Sequence, residues 1–221
     1  MIGAIVSFAG ALVLVIALVV ATGRAPSSAP GHPFVAAMET AFYLAGGAFA
    51  LYRLRTTGRR PFRKLSAHDV RTILLGIAAL AVVRLATIVQ LVLTHQTKHV
   101  QSGFEHFDVV TKQPALTAVA IVLTVAAMVA LGPIAEETIF RGLLLGALAP
   151  RTGVLVGAVI TAVIFGAAHT DLVLFPTLAA LGFVNALAYA ATGNLWVPIT
   201  LHALNNALGA AFLIATSLHH H

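Results

Sequence analysis

The chain contains no cysteine. That absence removes disulfides, thiolate metal sites and a cysteine nucleophile from consideration. Charge is nearly as scarce: 9% of the residues are charged, where soluble domains average about 25%. No H-E-x-x-H is present, so a zincin-type metal site lacks its scaffold. There is no G-x-S-x-G, which removes the common serine-hydrolase elbow. Asp69, Asp108 and Asp171 are the only aspartates, all near the ends of predicted spans, so no intramembrane aspartate pair is available.

What remains is apolar. Of 221 residues, 59% are hydrophobic and the mean hydropathy is +0.97. Seven of the 13 basic residues lie between Arg53 and Arg71, beside hydrophobic segments, where membrane proteins keep their cytoplasmic positive charge. The formal charge of +6 therefore points to the bilayer, not to nucleic acid.

A spanning helix needs about 20 mostly apolar residues. The sequence predicts spans at Ile2–Thr22, read as a retained span and not a signal peptide, then at about Phe34–Tyr52 and Thr72–Thr94. The polar connection His95–Gln113 follows, with an interfacial helix expected at GFEHFDVV. Ala115–Ala149 is too long for one straight span and reads as one helix kinked at Gly132-Pro133, or two shorter ones. Val154–Thr170, Leu172–Ala191 and Leu195–Ser217 complete the set, separated by turn signals at Pro150, Asp171 and Thr192-Gly193-Asn194. The expected fold is an all-α, multi-pass transmembrane bundle of about seven spans, with eight as the alternative. It forms a single transmembrane domain over residues 1–218, and 219–221 read as a tag remnant. The basic loop places the N-terminus in the cytoplasm of a cell-membrane protein.

Ionisable groups inside spans are expensive and face partners or water. Glu39 and Arg84 lie in neighbouring spans and are expected to meet each other or a water. From Ala115 to Leu218 there are only five charged residues, and Glu136, Glu137 and Arg141 cluster within six positions of GPIAEETIFRG. Glu137 and Arg141 are spaced i,i+4 with the acid first, the favourable order for a pair. Glu136, about 100° around the helix, is left with less compensation and is suited to exchange protons with water. Phe165 and His169 share an i,i+4 spacing, as do His202 and Asn206, whose imidazole and carboxamide can donate to an oxyanion. Each cluster alone also fits interfacial polarity or interhelical hydrogen bonding. Together they hold a base, a water-orienting ring and two donors, the groups needed to hydrolyse an amide with water as nucleophile.

GPIAEETIFRG, FGAAH and GNLWVPITLHALNN, in that order, resemble the CPBP family of intramembrane proteases, which includes CAAX prenyl endopeptidases and bacteriocin-processing or immunity proteins. The match covers about Ala118–Phe212. The resemblance implies a glutamate-dependent, metal-independent peptidase with no cofactor and a site in the bilayer. In that scheme Glu136 activates water, His169 helps to hold it, and His202 and Asn206 line the oxyanion hole. Glu137, Arg141 and Phe165 support them. The partners implied are a membrane-associated protein or peptide, CAAX-type prenylated chains among the options, and the lipid bilayer. A non-catalytic immunity or binding member of the same family, or a small proton- or ion-coupled transporter, are the alternatives on sequence. A metal site from Glu136, His169 and His202 is a further one, disfavoured by the nearby Arg141 charge. Oligomeric state is silent in the sequence.

Overall fold

The computed structural model describes residues 33–58, 60–96, 122, 125–169 and 171–218, with side chains described within 40–211. The expected span Ile2–Thr22, the connection with GFEHFDVV and residues 219–221 lie outside the described residues.

Every regular element among the described residues is helical. Helix α1 is Pro33–Arg55 and α2 is Ala67–Leu93. Ser66 starts α2 with a reciprocal cap: its hydroxyl accepts from the Asp69 backbone N–H, while the Asp69 carboxylate accepts from the Ser66 backbone. That carboxylate also takes both arms of Arg63, at 2.6 and 2.9 Å. The basic loop is thus tied to the head of α2, and it reaches further: Leu195 N donates to Pro61 O at 2.7 Å, and Asn194 Nδ2 to Arg63 O at 3.2 Å.

Over residues 125–152, the described part of the expected kinked helix, the chain is one continuous helical run containing two π-helical stretches. A π segment at Ala127–Leu131 (π1) leads into α3, Gly132–Glu137, then a longer π segment at Thr138–Leu145 (π2) and α4, Gly146–Thr152. Pro133 opens α3 inside this continuous run, so its missing N–H leaves the preceding turn one backbone donor short. The π stretches flank the glutamates, a placement π-bulges commonly take at functional sites. Pro150, expected as a turn, instead lies inside α4. The break comes three residues later, where Gly153 takes φ +84°, a conformation that L side chains rarely adopt.

Helix α5 is Val154–Ala168, α6 is Phe175–Thr192 and α7 is Trp196–Leu218. Asp171 builds the α5–α6 turn by accepting from Val173 N and Leu174 N, both at 2.9 Å. Gly193, at φ +63°, ends α6 with its N–H on Tyr189 O. Helices α5 and α6 approach closely through small residues: a Cβ on Gly182 would lie 3.2 Å from both the Ala162 Cα and the Phe165 ring. Phe140, Phe165, Leu181, Val197 and Leu201 fill the core beside this seam, with Ile73 and Leu80 of α2.

Two described helices, α2 and α6, are long and apolar enough to cross a membrane, and α5 is a shorter apolar helix. Only 11% of the apolar window of α2 is buried inside the protein, whereas a soluble core helix would be mostly buried. Its Leu74, Leu75, Val82, Leu85, Ile88 and Leu93 stand exposed, as lipid-facing side chains do. Among the described residues, two helices are thus membrane-crossing by length and composition, where the sequence predicts about seven spans over the whole chain.

Candidate active site

The opening motif folds into the centre of the bundle. Glu137, at the end of α3, and Arg141, in π2, are both fully buried. Arg141 Nη1 donates to Glu137 Oε1 at 3.1 Å, and its Nε lies 3.0 Å from Oε2. That second contact pairs the charges without hydrogen-bond alignment, since neither atom makes a hydrogen bond among the described residues. Arg141 Nη2 donates to Gly182 O of α6 at 2.7 Å. The guanidinium also sits 4.8 Å from the centre of the Phe165 ring. The i,i+4 spacing therefore forms the expected pair, and tertiary contacts complete it.

Two further donors converge on the same oxygen. His202 Nδ1 lies 2.9 Å from Glu137 Oε1, and Asn185 Nδ2 donates to it at 3.0 Å. A carboxylate only accepts, so the His202 proton resides on Nδ1. His202 Nε2 then faces Glu136, whose Oε2 is 3.9 Å away. Glu136 remains partly accessible, its side chain 17% exposed, yet its Oε2 is enclosed and unbonded among the described residues. The reading of Glu136 as the less compensated carboxylate agrees with this placement.

Phe165 links the remaining pieces. Its fully buried ring packs against Phe140, His169 and His202, with centroids 5.1, 4.7 and 5.7 Å apart. His169 caps α5 and is exposed. Its Nδ1 lies 2.8 Å from Phe165 O, and because a carbonyl accepts, Nε2 is the nitrogen left as acceptor in the neutral ring. Asn206 stands one turn beyond His202, but its Nδ2 donates to Met128 O in π1 at 2.9 Å. One of its amide hydrogens is thus committed to the backbone. Among the described residues, no three His, Asp or Glu groups cluster with metal-holding geometry.

Arg84 does not find a carboxylate among the described residues. Its Nη2 donates to Asn205 O at 2.6 Å, joining α2 to α7, while the side chain of Glu39 lies outside the described residues. Asn185 is the residue that sequence reasoning missed. A lone carboxamide in the apolar stretch FVNALAYAAT is the signal that could have found it, because amides in spans are placed for interhelical hydrogen bonds.

Comparisons with known proteins bear on the same stretch. Residues 118–208 match the family described as type II CAAX prenyl endopeptidase Rce1-like. The chain is 41% identical over 91 residues to a Bacillus subtilis protein named "Putative membrane peptidase YdiL", covering 41% of this chain and 36% of that one. An uncharacterised 24.3 kDa protein of Escherichia coli is 35% identical over 97 residues, or 42% of this chain and 45% of that one. The membrane-embedded CAAX protease MroQ of Staphylococcus aureus is 31% identical over 88 residues, or 37% and 36% of the two chains. The chain thus spans less than half the length of each of these relatives. No solved structure matches. The resemblance read from the three motifs is shown: over residues 118–208 the chain is similar to the Rce1-like type II CAAX prenyl endopeptidases.

Proposed function

We propose that this chain is a membrane-embedded endopeptidase that cuts a membrane-associated protein or peptide with a water activated by Glu136. The observation that carries this reading is the division of labour between two adjacent carboxylates. Glu137 is enclosed by three donors, the Arg141 guanidinium among them, whereas Glu136 keeps an enclosed, unbonded oxygen 3.9 Å from His202. A buried carboxylate already saturated with donors is a poor base, and an uncompensated one beside accessible space is a good one.

In the cycle, Glu136 takes a proton from water as the oxygen attacks the substrate carbonyl carbon. The same proton passes from Glu136 to the leaving amine as the C–N bond breaks. His169, held through Nδ1, offers Nε2 to orient the attacking water. The developing oxyanion accepts from the free Asn206 amide hydrogen and from His202 Nε2. His202 donates its Nδ1–H to Glu137, so a donation to the oxyanion from Nε2 uses a second N–H of the ring. No metal or cofactor enters this scheme. The proposed setting is a bundle of about seven spans with a cytoplasmic N-terminus, and prenylated CAAX-type chains are one substrate class that fits the matched family and its relatives.

The test is mass-spectrometric identification of peptides released from membrane proteins by tag-free protein, compared with Glu136→Gln. The variant keeps the shape and removes the base, so turnover falls by about 10²–10⁴ with unchanged melting. Full turnover in Glu136→Gln would end the general-base assignment. Activity lost on exhaustive chelation and restored by added metal would recast Glu136 as a ligand.

A further inference from the structure

We infer that Asn185 is a positioning residue for the site: it holds Glu137 so that His202 presents Nε2 to the reacting groups. The inference rests on the peptidase reading above. Asn185 is fully buried in α6, in a stretch otherwise made of Phe, Val, Ala, Leu and Tyr. Its only side-chain hydrogen bond among the described residues is Nδ2 to Glu137 Oε1 at 3.0 Å, and its Oδ1 is buried without a partner there. A buried amide with one half unsatisfied is a poor stabilising device, since the orphaned carbonyl forfeits its hydration. A leucine there would suit the helix seam better. The amide's return must therefore lie in what it does to Glu137.

Glu137 has partners on three separate segments. Arg141 in π2 and His202 on α7 supply two donors to Oε1, and Asn185 on α6 supplies the third. Without the amide, the carboxylate can swing toward Arg141 alone, where Nε already lies 3.0 Å from Oε2. His202 then loses the acceptor that fixes its ring and its Nδ1 proton, and a ring turned by a fraction of an ångström is costly in catalysis. The charged neighbours are few. Segments α3 and π2 bring Glu136, Glu137 and Arg141, and α7 brings His202. The end of α5 brings His169, α6 brings Tyr189, and the apolar run of α2 carries only Arg84, held at Asn205 O.

Two substitutions separate this role from simple packing. Asn185→Leu is expected to melt at or above the wild-type temperature and to keep KM, while kcat falls on the order of ten- to a hundredfold. In Asn185→Asp the neutral carboxyl can donate to Glu137 as the amide does, but the ionised form repels it. The ratio of variant to wild-type kcat should therefore start near one at about pH 5 and fall steadily toward about pH 8. The melting temperature of Asn185→Asp should fall over the same range, and that fall should vanish in Glu137→Gln/Asn185→Asp. This melting comparison needs no substrate, so it decides the Asn185–Glu137 coupling even if the wild type cleaves nothing. Wild-type kcat in Asn185→Leu, or a pH-independent rate ratio and melting temperature in Asn185→Asp, would overturn the inference.

Discussion

Replacing Arg141 by alanine tests the arrangement at its most heavily committed point. The guanidinium has no exposed surface. It bonds Glu137 Oε1 at 3.1 Å and Gly182 O at 2.7 Å, and it packs 4.8 Å from the Phe165 ring centre. Truncation leaves Glu137 buried with only the donors Asn185 and His202, and leaves the Gly182 carbonyl without its Arg141 partner. Removing one member of a buried pair costs about 3–5 kcal/mol, mostly the penalty of the stranded charge. A domain's entire stability is about 5–15 kcal/mol, so this single change removes a large part of it. For a chain of this size about 1 kcal/mol corresponds to 2–4 °C, which predicts a fall in melting temperature of roughly 6–20 °C. Fluorescence-detected melting in detergent reads this directly. The sign of the argument is checked by Glu137→Gln/Arg141→Ala, which no longer buries a lone charge and should recover part of the loss. An Arg141→Ala protein that melts within a degree or two of wild type, or a double variant less stable than Arg141→Ala, would refute the reasoning.

Gly182→Val should separate α5 from α6, because even the first added carbon meets Ala162 backbone at 3.2 Å. The expected cost is about 1–3 kcal/mol by melting, with activity lost beyond it because Gly182 O no longer meets Arg141. Leu65→Cys, at an exposed position in the basic loop beside the Ser66 cap but not part of it, is the only thiol in the resulting chain. It should react with an impermeant maleimide only from the cytoplasmic face, and labelling from the outer face alone would reverse the proposed orientation.

Several features of this protein are fixed by local sequence. The i,i+4 spacing of Glu137 and Arg141 makes their pairing a property of one helical run, whatever the rest of the chain does. The cap at Ser66–Asp69 and the glycine termini at Gly153 and Gly193 are equally local. The apolar character of α2 and α6 follows from composition, and α2 leaves a long row of leucines and valines exposed, as a soluble core helix does not. The three motifs likewise marked the matched stretch, since scarce polar residues in an apolar chain stand out individually.

Other features needed the fold. Pro150 reads as a turn, but the helix runs past it to Thr152 and ends only where Gly153 is free to take positive φ. The π-helical stretches have no composition signature, because they arise from one extra residue accommodated in a packed helix. Asn206 shares a helical face with His202, yet which carbonyl captures its amide depends on where Met128 is carried by π1. Arg84 gave no hint that it would meet the backbone of α7. The same holds for Asn185: its sequence neighbours are all apolar, and its side-chain partner among the described residues is 48 residues away. Spacing along a helix specifies which side chains can meet within it. The donors that converge on Glu137 from three different segments are decided only by how those segments pack, because a hydrogen bond tolerates a few tenths of an ångström and helix packing supplies that precision.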